Sequence, residues 1–144
     1  MTKLYDRDFF AWTQDQADAL RRRSVNEIDW ENLLEEVEGM GKQARSELRS
    51  HLIVLLAHLL KWRFQPDRRS RSWMLTILEQ RVQARQVVDG SPSLKPLIEE
   101  VLAEAYQSAR LRAARETRRL PRRFPEQSPF SWDEAMTEPV DLED

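Results

Sequence analysis

The feature that most constrains the fold of this chain is the spacing of its apolar residues, which recur every three or four positions along most of the sequence. The clearest run is Leu48, Leu52, Leu55, Leu59 and Trp62. These positions share one face of an α-helix but would be divided between both faces of a β-strand. Glycine, which weakens helices, occurs only 3 times. The pattern therefore predicts an all-α protein.

Glycine, proline and capping residues divide this pattern into about five predicted helices, arranged as a single-domain antiparallel bundle. The second helix is predicted to follow Asp29 and to end at the Gly39–Gly41 break, with Leu33, Leu34, Val37 and Met40 as its buried stripe. The third is predicted from about Gly41 to Phe64, where Pro66 stops it. The fourth opens at Ser70 or Ser72, and the fifth at Ser91 or Ser93.

The C-terminal segment departs from the helical pattern. Residues 124–144 contain seven acidic residues and no basic residue, together with Phe124, Phe130 and Trp132. Large aromatic residues are uncommon in disordered tails. We therefore predict a helical bundle over residues 1–123 and an acidic tail over residues 124–144 that packs back on the bundle, with its acids near the arginines between Arg115 and Arg123.

Charge is strongly segregated although the net charge is only −2. Residues 61–123 carry 15 basic and 7 acidic side chains. This block either neutralises the acidic segments of its own fold or binds a polyanion. The isoelectric point of about 5.8 lies far below that of a dedicated nucleic-acid-binding protein, so the sequence disfavours nucleic acid as the partner.

Several classes of function find no support in the sequence. There is no cysteine, which excludes disulfides and thiolate metal sites and fits a cytoplasmic location. The longest apolar run, residues 52–60, is too short to span a membrane, and the acidic N-terminal residues do not form a signal peptide. No glycine-rich phosphate loop or paired nucleophile and base occurs, so we expect no cofactor, no metal and no catalytic residues.

The stretch HLLKWRFQPDRRSRSW, residues 58–73, is the most distinctive local feature. It is predicted to be the corner between two helices. Arginines just before a helix N-terminus are unfavourably placed, because that end prefers negative charge. An anionic or acidic partner would relieve this mismatch, and the candidate binding residues are Lys61, Arg68, Arg69, Arg71 and Ser72. Pairing with an internal glutamate, pairing with the acidic tail, and plain exposure to solvent are the alternatives.

A second candidate is a polar cluster of Glu35, Glu36 and His58. A carboxylate and an imidazole are metal ligands, so these residues are the basis for an alternative function as a metal-dependent or other enzyme. Adjacent glutamates on a helix point about 100° apart, which makes a shared small substrate difficult. The structural alternative is a solvated acidic face, with His58 hydrogen-bonded at the edge of the core.

The chain resembles a bacterial family common in cyanobacteria, domain of unknown function twenty-nine. The resemblance covers roughly residues 5–132. It rests on Tyr5, Asp8, Phe9, Trp12, Asp29, Asn32, Leu33, Glu35, Glu36, Gly41, His58 to Trp62, Gln65, Pro66, Ser72, Trp73, Pro92 to Leu94, Tyr106, Phe124, Pro125 and Pro129. The family implies a small all-helical protein without an established activity, so it supplies no catalytic or ligand residues.

Together these observations predict a non-catalytic helical interaction or regulatory module. A protein partner or self-association is expected, with a homodimer formed through part of the first or the fifth helix. Nucleic-acid binding through residues 61–123 is the less favoured alternative. Trp62 and Trp73 lie on core-facing positions and are predicted to be buried anchors on either side of Pro66.

Overall fold

The computed structural model describes residues 3–143 and confirms the all-α prediction, because no strand occurs in that range. The α-helices are α1 (Leu4–Arg7), α2 (Phe9–Arg21), α3 (Trp30–Phe64), α4 (Arg71–Gly90), α5 (Ile98–Thr117) and α6 (Trp132–Thr137). Short 3-10 segments lie between them at Val25–Glu27, Pro66–Arg68, Pro92–Leu97 and Pro121–Arg123. The chain divides into two compact units, Met1–Lys42 and Gln43–Asp144.

The predicted break at Gly39–Gly41 is wrong, because α3 runs without interruption from Trp30 to Phe64. A glycine inside a helix costs only about 1 kcal/mol relative to alanine. Neither glycine has a positive φ, so both adopt ordinary helical geometry. Strong helix formers on both sides, including the leucine-rich run after Leu48, are enough to carry the helix through.

The first unit is a helical hairpin in which α2 and the beginning of α3 are joined by the turn Val25–Glu27. Gln16 is buried and fixes this turn, since its amide donates to the Glu27 carbonyl at 3.2 Å and accepts from the Asp29 amide at 2.7 Å. Trp12 is also buried, and its indole nitrogen donates to Asp29 Oδ2 at 3.0 Å. A few polar contacts and one large aromatic side chain therefore hold the hairpin.

The predicted buried stripe on the N-terminal part of α3 is wrong for three of its four residues. Leu34, Val37 and Met40 are 60%, 55% and 68% exposed, whereas Leu33 is half-buried. Periodicity identified the apolar face of the helix correctly. It carried no information about whether another element covers that face.

The second unit contains the hydrophobic core. Apolar residues of α3 from Leu48 to Trp62 meet Ile77 and Ala84 of α4 and a stripe of α5 centred on Tyr106. The C-terminal segment completes the core with Phe124, Phe130, Ala135, Met136 and Val140. The predicted cap Ser70 is confirmed, because its side chain accepts from the Trp73 amide. Ser131 caps α6 in the same way, accepting from the Glu134 amide.

Polar contacts also fix residues 124–140. Arg81, which is 6% exposed, donates to the backbone carbonyls of Ala135 and Glu138 at 2.8 and 2.7 Å. Arg63 donates to the Glu138 carboxylate at 2.6 Å and lies over the Phe130 ring. The expected ion pairs between the tail and Arg115–Arg123 are not found among residues 3–143.

Candidate anion-binding corner

The predicted corner forms where α3 ends at Phe64 and α4 begins at Arg71. Pro66 starts the intervening 3-10 turn, since proline disfavours helical geometry in the residue before it. Ser70 then caps α4, accepting from the Trp73 amide at 3.2 Å. The local sequence therefore sets both helix ends and brings the candidate arginines into one short turn.

Lys61, the first candidate residue, is bound internally. It is 6% exposed, and its ammonium group donates to Glu116 Oε2 at 2.6 Å and lies 5.0 Å from the centre of the Trp73 ring. Arg112 donates to the other oxygen of Glu116 at 3.0 Å. Partial burial raises the pKa of Glu116, but these two cations outweigh it and leave the pKa below its usual value.

Arg69 is bound internally as well. Its Nε donates to the Trp62 carbonyl at 2.8 Å, and its guanidinium lies 5.0 Å from the centre of the Trp62 ring. The bond satisfies a carbonyl near the end of α3, where helical partners are missing and positive charge is favourable. Arg69 therefore stabilises the corner itself.

The remaining candidates, Arg68, Arg71 and Ser72, are exposed. Arg68 lines a cleft of about 440 Å³ together with Gln65, Trp73, Glu116, Thr117 and Arg118. Within residues 3–143 neither Arg68 nor Arg71 forms an ion pair. The corner thus separates into Lys61 and Arg69, whose side chains bond to other groups of the protein, and the exposed Arg68, Arg71 and Ser72.

Arg118 is a residue of the cleft that the sequence did not identify. It ends α5 in the left-handed conformation, with φ 57°, a position that glycine usually occupies because other side chains are strained there. Gln65 contacts Arg119, the residue after Arg118. In the orientation that suits both the oxygen and the nitrogen of the Gln65 amide, the oxygen accepts a hydrogen bond from Arg119 Nε at 3.1 Å. No local pattern predicts these contacts, because they join segments far apart in the chain.

The polar cluster of Glu35, Glu36 and His58 has separate partners in the structure. Glu36 accepts a hydrogen bond from the Tyr5 hydroxyl, and this bond, together with desolvation, raises the pKa of Tyr5 to about 12. Glu35 is exposed. His58 Nδ1 lies 2.8 Å from the Val54 carbonyl, which fits a neutral ring donating that bond. Burial lowers the pKa of His58, and nearby Lys61 lowers it further.

Neither a metal site nor a membrane span is found among residues 3–143. No group of three or more histidine or acidic side chains is arranged to hold a metal ion in that range. None of the helices described there is both long enough and apolar enough to cross a bilayer.

A second candidate surface lies on the hairpin of the first unit, and sequence reasoning missed it because the stripe on α3 was predicted to be buried. A groove of about 370 Å³ runs between α2 and α3. Its lining is almost entirely apolar and consists of Phe9, Trp12, Thr13, Gln16, Ala17, Leu20, Leu33, Glu36 and Met40. Such a groove accommodates apolar side chains of another protein.

Comparison with known proteins gives a family but no described function. No curated protein and no solved structure matches the chain. The model of the family described as "Domain of unknown function DUF29" matches residues 4–139. The match includes all the helices α1 to α6 and both candidate surfaces. The resemblance predicted from the sequence is therefore confirmed, and the chain belongs to this family.

Proposed function

We propose that this protein is a non-catalytic interaction module of the bacterial cytoplasm. We propose further that it binds an acidic segment of a partner protein at the exposed corner residues Arg68, Arg71 and Ser72, together with Arg118, which lines the same cleft as Arg68. One observation carries the proposal. Arg68 and Arg118 line the same cleft, and neither forms an ion pair within residues 3–143.

The cleft has the chemistry that a carboxylate requires. Guanidinium groups bind carboxylates through two parallel hydrogen bonds. The one acid in the cleft wall, Glu116, is already neutralised by Lys61 and Arg112, so it offers little repulsion to an incoming anion. Lys61 and Arg69 stabilise the corner through their bonds within the protein. Arg68 and Arg118 are available to contact the ligand.

An acidic protein segment fits this surface better than a nucleic acid does. Nucleic-acid channels usually present exposed aromatic rings on which bases stack. Trp62 is buried, and Trp73 is half-buried with Lys61 over its ring. The arginines alone remain for the ligand, and they are suited to carboxylates as well as to phosphates.

We further propose that residues 43–123 form an antiparallel bundle and that the acidic tail of residues 124–144 is part of the same folded unit. The short connections Gln65–Ser70 and Ser91–Leu97 favour antiparallel neighbours. Buried Phe130 and Met136, and the bonds from Arg81 to the tail backbone, support a tail held against the helices. In this arrangement the tail contributes to stability and leaves Arg68 and Arg118 accessible.

The test is a titration of the full chain with a fluorescent glutamate-rich peptide at low and high salt. We expect the Arg68→Ala/Arg118→Ala variant to bind at least about 10-fold more weakly, which corresponds to about 1.4 kcal/mol. The charge-matched control is Lys42→Ala/Lys95→Ala, which removes two exposed cations that do not line the cleft.

Equal losses in both double variants would show that only net charge matters and would contradict a specific site. An oligonucleotide of equal charge serves as the competitor. Tighter binding of the oligonucleotide than of the peptide would replace the acidic-protein proposal with nucleic-acid recognition.

Self-association is a second proposed role, and a different observation favours it. Large apolar side chains are exposed on the hairpin of the first unit.

A further inference from the structure

The hairpin of the first unit exposes an unusual amount of apolar surface. Its exposed large apolar side chains are Phe9, Phe10, Leu20, Val25, Trp30, Leu34, Val37 and Met40, with exposures from 47% to 73%. Scattered single residues of this kind need no explanation, but a contiguous apolar patch marks an interaction surface. Several of these residues adjoin the groove between α2 and α3.

The spacing on α3 indicates that the missing cover is helical. Trp30, Leu34 and Val37 are spaced by four and three positions, and Leu48, Leu52 and Leu55 repeat the same spacing later in the helix. In the second unit this stripe is fully buried among helices, whereas in the first unit it is exposed. A face with this spacing packs best against another helix.

The arginines at one end of the hairpin favour one orientation of a second copy. Three consecutive arginines, Arg21 to Arg23, lie at the C-terminal end of α2, where Asp18 and Glu27 neutralise them only in part. The N-terminal end carries both signs, Lys3 and Arg7 with Asp6 and Asp8. A second copy packed antiparallel keeps the two arginine clusters at opposite ends of the interface. A parallel copy would place like charges together, which opposes association.

We propose that two copies of this chain associate through the first unit, hairpin against hairpin, about a twofold axis that sets the two α2 helices antiparallel. The inference rests on the proposed role as an interaction module but is independent of the arginine cleft. Two hairpins that each lack a cover then supply the four helices of a bundle.

The exposed apolar area is sufficient for such a dimer. Large aromatic side chains bury about 150–250 Å² each, and the hairpin exposes eight large apolar side chains by about half or more. Their exposed parts approach the roughly 800 Å² per partner of a standard stable interface. Each hairpin therefore has enough surface without help from the second unit.

The first experiment measures mass by sedimentation equilibrium of the full chain from low to high micromolar concentration. We expect the wild type to reach twice the chain mass of 17.1 kDa. The Leu34→Lys/Val37→Lys variant should stay monomeric because it places charge in the interface. The control Leu75→Lys/Leu111→Lys changes exposed apolar residues of the second unit and should still dimerise.

Orientation is tested by cross-linking, which is simple here because the chain has no cysteine. Single variants Asp6→Cys and Arg21→Cys are mixed and treated with a short bismaleimide. The antiparallel dimer predicts that the mixed product, in which one copy of each variant is joined, exceeds either symmetric product. A parallel dimer would give the symmetric products instead and would overturn the proposed orientation.

A wild-type protein that remains monomeric at high micromolar concentration, or a lysine variant that still dimerises, would overturn the proposed interface. The glutamate-rich peptide separates this outcome from failure of the proposed function. A monomeric Leu34→Lys/Val37→Lys variant that binds the peptide as the wild type does would support both proposals. Loss of peptide binding in the Arg68→Ala/Arg118→Ala variant with dimerisation retained would show that the two surfaces act separately.

Discussion

The two units of the chain use apolar residues of the same helix in opposite ways. On α3, Leu48, Leu52 and Leu55 are completely buried in the second unit, whereas Leu34 and Val37 are more than half exposed in the first. The first unit has eight exposed large apolar residues and the much longer second unit has seven among its described residues. Equal hydrophobic patterning therefore produces a core in one unit and an unpartnered surface in the other.

The largest expected effect comes from replacing a tryptophan at each end of α3. Trp62 is 4% exposed and Trp30 is 60% exposed. We expect Trp62→Ala to lower the free energy of unfolding by about 3–5 kcal/mol, because it leaves a cavity in the core. Trp30→Ala should change it by no more than about 0.5 kcal/mol.

Urea denaturation at a protein concentration too low for association gives both values. Similar losses of unfolding free energy in the two variants would mean that Trp30 is covered within the monomer. The two units would then not differ in whether the apolar face of α3 is buried.

Replacing one arginine in each unit should lower the free energy of unfolding by a smaller amount. Arg81→Ala removes the donor for the backbone carbonyls of buried Ala135 and partly buried Glu138, and we expect a loss of about 3 kcal/mol. Arg22→Ala breaks exposed pairs with Asp18 and Glu27, and we expect a much smaller loss because solvent screens such pairs. Thermal unfolding monitored by circular dichroism measures both changes.

Arg81→Lys serves as the control for charge alone. It keeps a cation at this position but lacks the planar fork that reaches two carbonyls. Full stability in the lysine variant would contradict the assigned role of the two hydrogen bonds.

The smallest expected effect is a dependence of stability on pH, and it is confined to the second unit. Burial holds the pKa of His58 below its ordinary value of 6.5 in the folded state. The unfolded chain therefore takes up a proton first as the pH falls through about 6.5, and stability decreases from there toward the folded-state pKa. The first unit contains no histidine, so its stability should not change in this range.

Hydrogen exchange followed by residue at about pH 7 and pH 5.5 checks this expectation. The variant His58→Gln should remove most of the pH dependence in the part of α3 that belongs to the second unit. An unchanged dependence in that variant would assign the effect to another group.

Much of the secondary structure could be predicted from local sequence. The spacing of Leu48 to Trp62 and the caps Ser70 and Ser131 act within a few residues, so their structural consequences can be inferred directly. The continuity of α3 through Gly39 and Gly41 could not be predicted in this way. It depends on whether the helix-forming residues on both sides outweigh the small free-energy cost of each glycine.

The candidate site was less predictable because its key contacts are distant in sequence. Lys61 was recognised as part of a basic corner, but its partner Glu116 lies 55 positions away. The left-handed conformation of Arg118 has no signature in that residue type. Local patterns thus identified the basic corner, whereas tertiary contacts decided which of its cations are available.

The two glycines of α3 also affect the mechanics of this helix. A methyl group added at Gly39 or Gly41 would meet no atom within 4 Å, so neither glycine is needed for close packing. Alanine at both positions would raise the cost of local unwinding by about 1 kcal/mol each. The long helix is therefore continuous in geometry but uneven in stiffness, and its most compliant turn comes just before the end of the first unit at Lys42.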